Sequence, residues 1–313
     1  MNVAVLDIGS NTTKILIISK DQRGKLKPLA EKSYPCRLGM GLSRDQPVLS
    51  SVMIDLTLKV IDQLLSFAKP FSPIKIRIVA TEAIRRLKNS RSLIVKVQNR
   101  FSLNIEILSG EQEASYIADG LLTDPCLGSV QEFCAIDLGG GSMEIMKITA
   151  GRCQQVLSLP LGAVVLSEDF FGDLSKKPAK IDIIRLQKYV LSTLKHNCSE
   201  LLQNCNYIVG AGGSIAFLRH IISDLNHNEQ SVESILPEPA IKQITEKIIS
   251  LDLGSRIKEF PHLPADRADV FPAALLVILE LLKFCKRKEL THSFHNLRYG
   301  VAEEILKSNP SSK

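Results

Sequence analysis

The chain has 313 residues, of which 45% are hydrophobic and 23% are charged, and its mean hydropathy is +0.09. This composition excludes an intrinsically disordered protein, and the length favours two domains or one large one. The net charge of +6 favours anionic partners, whereas the absence of Trp and the 5% of aromatic residues argue against a nucleic-acid surface built on base stacking.

The first part of the chain predicts alternating strands and helices. Two strands, at residues 3–6 and 15–18, flank a polar turn at 7–11, and a loop with Gly39, Gly41 and Pro47 follows. Apolar positions recur at helical spacing over 54–67 until Pro70 ends the helix. A buried strand at 76–80 precedes a helix that Thr81 could cap, and another strand is predicted at 104–108.

The second part of the chain begins with a repeat of the first. Residues 121–132 are irregular and predict a linker, after which the N-terminal layout returns at an offset of 130 residues, with Gly9 aligned to Gly139 and Thr12 to Ser142. Amphipathic helices are predicted at 183–202 and 241–251, a buried helix at 270–284, and a loose tail at 307–313.

The sequence carries no signal for a membrane or for export. No apolar segment reaches the roughly 18 residues of a membrane-spanning helix. The first apolar segment contains Asp7 and has neither a basic region nor a cleavage site, unlike a secretory signal. We therefore expect a cytoplasmic protein with no membrane partner and no nucleic-acid partner.

Three glycine-rich turns follow apolar segments, at residues 7–13, 137–144 and 210–214. Such turns leave backbone N–H groups uncovered, and these groups bind phosphate oxygens, aided by hydroxyls and by helix N-termini. The need for a tight turn explains any one of these glycine-rich segments equally well. Three of them, two with carboxylates, favour phosphate binding.

The carboxylates Asp7, Asp137 and Glu144 lie in or beside these turns and are candidate ligands of Mg²⁺ or of another divalent cation such as Mn²⁺. The seven cysteines form no C-x-x-C pair and the six histidines no H-E-x-x-H motif, which argues against the common zinc sites. Any metal is therefore expected to be held mainly by carboxylates.

Further charged residues have two interpretations each. Glu111 and Glu113 follow Ser109 in a predicted first helical turn, where spacing alone favours a helix-dipole role. Arg85 and Arg86 suit phosphate recognition but are also ordinary surface residues. A basic cluster either guides a polyanion or is simply solvated, and it contains Lys283, Lys286, Arg287 and Lys288.

Six motifs, in this order, resemble the Ppx/GppA family of exopolyphosphatases and guanosine pentaphosphate phosphohydrolases. They are V-L-D-I-G-S-N-T at 5–12, A-T-E-A-I-R at 80–85, S-G-E-Q-E-A at 109–114, I-D-L-G-G-G-S-M-E at 136–144, L-P-L-G-A at 159–163 and R-A-D-V at 267–270. The chain is similar to the short, two-domain form of this family.

The resemblance implies an α/β fold of two actin-like, ribonuclease H-like domains of the ASKHA superfamily, which close on an interdomain cleft. The first domain would span residues 1–122, with 297–313 packing back on it, and the second would span 123–296. A homodimer is a further expectation from the family. The implied partner is inorganic polyphosphate or a guanosine polyphosphate.

The resemblance also assigns roles to individual residues. Glu113 would activate the attacking water, which reverses the interpretation from spacing, and Glu144 would be the second catalytic carboxylate. Asp7, Asp137 and Glu144 would hold the metal. The residues expected to bind phosphate are Gly9, Ser10, Asn11, Thr12, Arg85, Gly139, Gly140, Gly141, Ser142, Gly212, Gly213 and Ser214.

Three positions depart from the family pattern. Gln112 replaces a usual Glu, Lys14 stands where Arg is common, and the late G-L-R-E-G motif is N-L-R-Y-G at 296–300. Asn296 is expected to tolerate a left-handed backbone in place of the glycine.

The expected reaction is Mg²⁺-assisted hydrolysis of the terminal phosphoanhydride of polyphosphate. The alternatives that the sequence leaves open are removal of the 5′ γ-phosphate of guanosine pentaphosphate, an ASKHA-type kinase, and a non-enzymatic polyphosphate or nucleotide sensor.

Overall fold

The chain divides into two compact units. The computed structural model describes residues 1–38, 47–72, 74–128, 130–203, 205–225 and 234–308. Unit 1 contains Met1–Pro125 and His295–Lys313, and unit 2 contains Cys126–Phe294. The boundaries expected from the sequence, at 122/123 and 296/297, lie three and two residues from these divisions. Gly39 and Gly41 of the predicted loop, and residues 309–313 of the predicted tail, lie outside the described residues.

Unit 1 is built on a five-stranded sheet. Its strands are β1 (Asn2–Ile8), β2 (Thr12–Lys20), β3 (Leu26–Pro35), β4 (Ile74–Ala80) and β5 (Ile105–Ile107), in the order β3-β2-β1-β4-β5. The first three strands are antiparallel, and β4 and β5 run parallel to β1. The helices are α1 (Ser51–Ala68), α2 (Glu82–Arg86), α3 (Ser90–Phe101), α4 (Gly110–Leu121) and α11 (Leu297–Lys307).

Unit 2 is built on a six-stranded sheet. Its strands are β6 (Phe133–Leu138), β7 (Met143–Thr149), β8 (Arg152–Leu159), β9 (Ile208–Ala211), β10 (Ile235–Pro237) and β11 (Glu289–His292), in the order β10-β11-β9-β6-β7-β8. The helices are α5 (Ala163–Phe171), α6 (Lys180–Gln203), α7 (Gly213–Leu225), α8 (Glu238–Ser250), α9 (Leu253–Glu259) and α10 (Phe271–Cys285).

The internal repeat predicted from the sequence is present in both sheets. Each sheet has three antiparallel strands followed by two strands parallel to the first, β4 and β5 in unit 1 and β9 and β11 in unit 2. The hairpin turns also correspond, because Gly9 N donates to Thr12 O at 3.2 Å and Gly139 N donates to Ser142 O at 3.0 Å. The chain therefore places two equivalent turns at the ends of two equivalent first strands.

Burial explains why the central strands and one long helix were recognisable. Residues 3–6 of β1 are fully buried, as expected for a central strand covered on both faces. Helix α10 is buried along nearly its whole length and begins with Pro272 in its first turn. Among the described residues, no helix combines the length and the apolar character needed to cross a membrane.

Thr81 does not cap α2 through its side chain. The residue occupies the N-cap position in an extended conformation, but its side chain makes no capping hydrogen bond. Instead its backbone extends the pairing of β4 with β1, because Thr81 N donates to Ile8 O at 3.4 Å. Thr81 therefore occupies the expected N-cap position, but without a side-chain hydrogen bond, and the helix begins where it was expected.

Candidate active site

The turn between β6 and β7 places two carboxylates opposite one another. Asp137 and Glu144 are direct partners in the antiparallel register, so their side chains project from the same face of the sheet. Glu144 is only 1% exposed, and its Oε1 accepts a hydrogen bond from Ser158 Oγ at 2.8 Å. Because like charges directly across a strand pair repel, this arrangement favours a bound cation.

The Gly139–Ser142 turn (residues 139–142) is held by the segment that follows β8. Ala163 N donates to Gly139 O at 3.0 Å, and Val164 N donates to Gly140 O at 2.9 Å. A Cβ on Gly162 would lie 2.2 Å from the carbonyl carbon of Gly141, a separation that real atoms do not reach. The L-P-L-G-A motif therefore supports the turn, and glycine is required at 162 because two backbone segments touch there.

The third glycine-rich turn lies against the first carboxylate of unit 2. Gly212 has a left-handed backbone with φ +96°, and a Cβ on it would lie 2.4 Å from Asp137 Oδ1. The next residue, Gly213, begins helix α7, and Ser214 beside it is buried. Unit 2 thus brings together both of its predicted phosphate turns, a helix N-terminus and the two carboxylates.

Arg267 contacts this third turn. It belongs to the R-A-D-V motif, for which the sequence suggested no role. The Arg267 guanidinium lies so close to Gly213 that a Cβ there would be 2.8 Å from Nη1. The same guanidinium lies over the Phe217 ring, 5.3 Å from its centroid. Arg267 therefore places a positive charge beside the N-terminus of α7, where the sequence predicts phosphate binding.

The equivalent turn of unit 1 carries a carboxylate with a different partner. Asp7 faces Lys14 across the strand pair, whereas Asp137 faces Glu144. Burial raises the pKa of Asp7, and the positive charges of Lys14 and Arg298 oppose that rise. Within the described part of the chain, the buried Oδ1 of Asp7 has no hydrogen-bond partner. The unit 1 turn is thus more positive than its unit 2 counterpart.

The rest of the unit 1 turn is tied into the fold. Ser10 and Asn11 are buried, and the Asn11 carbonyl accepts hydrogen bonds from Cys36 N and Arg37 N, both at 2.9 Å. Gly9 and Thr12 close the turn through their backbone hydrogen bond. The four residues of this turn that are expected to bind phosphate therefore form one hairpin tip.

Glu113 lies at the same edge of the unit 1 sheet. Strands β1, β4 and β5 end side by side, since Ile8 pairs with Ala80 and Ala80 with Ile107. Helix α4 starts directly after this edge with a capping box, in which Ser109 Oγ accepts from Gln112 N and Gln112 Oε1 accepts from Ser109 N. The Gln112 side chain is thus used in the cap, a role that Gln and Glu fill equally.

The Glu113 carboxylate is buried and held by Arg85. Glu113 is 8% exposed, and its Oε2 accepts a hydrogen bond from Arg85 Nη1 at 3.3 Å. Arg85 also donates to Leu108 O at 2.5 Å and forms an ion pair with Glu82. These contacts fix the guanidinium beside Glu113, whereas a contact between Arg85 and phosphate remains a prediction.

The late motif begins with a residue that caps helix α11. Asn296 is extended, with φ −153°, and its side chain accepts a hydrogen bond from Arg298 N at 3.2 Å. The tolerance of Asn for a left-handed backbone is therefore not used at this position. Arg298 donates to Ile15 O at 3.3 Å and pairs with Glu31 at 3.1 Å, so its contacts anchor α11 on the unit 1 sheet.

His295 is packed within unit 1 next to the point where the chain returns from unit 2. Its Nδ1 lies 2.7 Å from Thr123 Oγ1, and its ring stacks on Tyr299 at 3.8 Å between centroids. Its backbone N–H donates to Asp124 Oδ2 at 3.3 Å. Burial lowers the pKa of His295 below its ordinary value of 6.5, although the charges of Asp124 and Glu31 act in the opposite direction. The folded chain therefore favours the neutral ring.

We expect His295→Gln to flatten the pH dependence of stability. Because the folded state binds the proton less well than the unfolded state, the contribution of His295 is complete above pH 6.5 and is lost as the pH falls towards the lowered value. Urea unfolding midpoints between pH 5 and 8 measure this slope. As a control, His196→Gln removes an exposed histidine, and we expect the slope of the wild type. Equal slopes for all three proteins would contradict the assignment.

The donor set fits a hard divalent cation of the kind expected from the sequence. No group of three or more His, Cys, Asp or Glu side chains suited to a metal occurs in the described ranges of the chain. Mg²⁺ usually retains several waters and needs one or two protein carboxylates. Within unit 2, the facing Asp137 and Glu144 meet that requirement.

Sequence reasoning missed three residues that shape the unit 2 turns. These are Ser158, which donates to Glu144, Gly162, which contacts the Gly139–Ser142 turn, and Arg267, which contacts Gly213. Two of them stand in motifs that were recognised only through the family resemblance. Ser158 pairs with Glu144 in the β7–β8 register, and locating it would have required recognition of β8.

Comparison with known proteins gives a consistent result. The model of the Ppx/GppA phosphatase family matches residues 17–309. A crystal structure of the Aquifex aeolicus member of the Ppx/GppA protein family is 28% identical, with a TM-score of 0.82 and 99% of each chain covered. A second Aquifex aeolicus structure, of a PPX-GPPA enzyme, is 27% identical, with a TM-score of 0.80, and covers 97% of this chain and 99% of that one.

A third structure supports the fold alone. An exopolyphosphatase from Cytophaga hutchinsonii is 19% identical, with a TM-score of 0.90 and 98% of each chain covered. Together with the strand order of the two sheets, these similarities confirm the expected fold of two actin-like domains.

Proposed function

Because the chain belongs to the Ppx/GppA phosphatase family, we propose that it is an exopolyphosphatase that releases orthophosphate from the end of inorganic polyphosphate. Membership of this family supports the broader assignment, that the chain hydrolyses phosphoanhydride bonds. The main observation in support of the proposal is the buried Glu113 carboxylate, which is held by Arg85. It lies where strands β1, β4 and β5 end side by side, and the unit 1 turn follows β1 at the same place.

Glu113 is suited to act as a general base towards water. Its carboxylate lies 3.3 Å from the Arg85 guanidinium, which holds it in place, and an ionised carboxylate in position can accept a proton from water. In the proposed step the water oxygen forms a bond to the terminal phosphorus, and its proton passes to Glu113. The bridging P–O bond breaks, and its electron pair stays on the shortened polyphosphate chain.

The glycine-rich turns are suited to bind the phosphoryl oxygens. Backbone N–H groups of the two hairpin turns and of the α7 N-terminus carry partial positive charge, and preorganised donors stabilise charge that develops during the reaction. A divalent cation held by Asp137 and Glu144 would neutralise further negative charge on the substrate. Arg267, beside Gly213, adds a fixed positive charge to the same unit 2 turns.

Substrate preference is tested by measuring orthophosphate release from polyphosphate and from guanosine pentaphosphate in parallel, with Mg²⁺ present. We expect the larger kcat/KM with polyphosphate. A larger value with guanosine pentaphosphate would show that the nucleotide is the substrate. Binding of polyphosphate without release would indicate a sensor, and ADP formation from ATP that depends on an added hydroxyl acceptor would indicate a kinase.

A further inference from the structure

Unit 2 contains a small basic cavity at the amino ends of its parallel strands, opposite the ends that carry its glycine-rich turns. The turns follow the carboxyl ends of β6 and β9, whereas this cavity lies where β9 and β11 begin. Its volume is about 250 Å³, and its lining includes Asn206, Tyr207, Lys286, Arg287, Lys288 and Glu289. We call it the basic cavity.

The end of helix α10 fixes the backbone that carries the cations. Lys286 adopts a left-handed conformation with φ +54° and ends the helix. Lys286 N donates to Lys283 O at 3.1 Å, and Arg287 N donates to Leu282 O at 2.9 Å. These bonds resemble the usual left-handed helix terminus, so three consecutive basic residues start from a well-defined turn.

Arg287 has a donor that the fold leaves unused. Its Nη2 donates to Asn206 Oδ1 at 3.2 Å, which orients the guanidinium. Its Nε is buried, and no acceptor for it exists in the part of the chain that the structure describes. A buried charged donor without an acceptor is unfavourable. Arg287 is also one of the residues that line the basic cavity, so it contributes positive charge there.

The charge balance of the basic cavity favours an anion. Its wall carries three cations and one carboxylate, that of Glu289. Lys288 also reaches Glu238 at 3.3 Å, but this lysine side chain is largely exposed and weakly held. Guanidinium and ammonium groups together are the usual partners of phosphate oxygens.

The size of the basic cavity limits the kind of anion. Pockets for drug-sized molecules commonly have volumes of roughly 300–1,000 Å³. A cavity of about 250 Å³ is better matched to a small inorganic phosphate than to a nucleotide with its base and sugar.

We infer that the basic cavity is a second phosphate site, which binds a short inorganic oligophosphate away from the two glycine-rich turns of unit 2. Arg287 provides the oriented guanidinium, and Lys286 and Lys288 provide the flanking charge. The inference needs no assumption about the reaction, because it rests on the cavity and its residues alone.

Binding is measured with inorganic tripolyphosphate, without divalent cations, by NMR of the Tyr207 ring resonances assigned with Tyr207→Phe. We expect saturable shifts in the wild type and a Kd at least about tenfold higher in Arg287→Gln, since a charge-assisted hydrogen bond is lost. Lys286→Gln should also raise the Kd, and because this side chain is exposed the change leaves the core intact. The control Lys176→Gln removes an exposed cation that does not line the basic cavity and should leave the Kd unchanged.

Three results would overturn the inference: no shift of Tyr207 in the wild type, an unchanged Kd in both Arg287→Gln and Lys286→Gln, or tighter binding of ATP than of tripolyphosphate. Binding at Tyr207 by a chain that releases no orthophosphate from any substrate would support the inference and contradict the proposed hydrolase. An experiment can therefore contradict the proposed hydrolase without contradicting the second phosphate site.

Discussion

Glu113→Gln should reduce orthophosphate release by at least about 100-fold while leaving the fold intact. A positioned general base contributes roughly 10²- to 10⁴-fold to a reaction, and glutamine has nearly the same shape but accepts no proton. The amide can still accept the hydrogen bond from Arg85, so the helix and its cap should be preserved. Turnover with saturating polyphosphate, beside a thermal melt of the same sample, measures both quantities.

Glu111→Gln is the matched control for this change. Glu111 lies in the same first turn of α4, has the same side chain and is exposed. Its interaction with the helix dipole stabilises the chain by about 0.3–1 kcal/mol at most. We therefore expect turnover within a few fold of the wild type. If both variants kept wild-type turnover, Glu113 would not be the base. If both lost it equally, the loss would come from helix electrostatics and not from proton transfer.

The burial of Glu113 could have been predicted from its spacing. Glu113, Ile117 and Leu121 recur at intervals of four residues, and Ala114 and Ala118 lie next to the first two. All five are buried in α4. A carboxylate on the apolar face of an amphipathic helix is a stronger functional signal than one in a first turn. The position of Glu113 in the first helical turn favoured an interaction with the helix dipole. Only the family resemblance indicated that Glu113 activates water.

Strands β1 and β6 were predictable from the sequence, whereas strands β3, β8, β10 and β11 were not. β1 and β6 are continuous apolar segments with a glycine turn after each, and the offset of 130 residues aligns their registers. β3 and β8 lie on the outer side of each hairpin and are mostly exposed or half-buried, so their sequences lack a run of apolar residues. β10 and β11 have only three and four residues, too few for a periodicity to show.

The residues that hold the site together lie far apart in the sequence. The carboxylates and glycines of the turns are local motifs, and the sequence identified them. Contacts such as that between Gly162 and Gly141, or between Arg267 and Gly213, depend on the packing of separate segments. No local pattern contains this information, which is why the supporting residues appeared only in the structure.

Gly162→Ala should distort the Gly139–Ser142 turn and lower the stability of the chain. Gly162 has φ −71°, which alanine adopts freely, so backbone strain is not the reason. The added Cβ would lie 2.2 Å from Gly141 C and 2.4 Å from Gly140 O, and neither backbone atom can move without displacing the turn. Overpacking of this kind destabilises by roughly 1–3 kcal/mol. A displacement of about 1 Å at a reacting centre lowers the rate by roughly 100-fold.

Gly254→Ala separates this effect from the general consequences of removing a glycine. Gly254 lies in α9, and the nearest atom to its added Cβ would be Asp252 Oδ1 at 3.6 Å, an ordinary contact. Alanine there should stabilise the chain by up to about 1 kcal/mol and leave turnover unchanged. Urea unfolding and polyphosphate turnover are measured on both variants. Wild-type turnover in Gly162→Ala would mean that the turn adapts to the extra methyl group, and that the L-P-L-G-A segment does not determine its geometry.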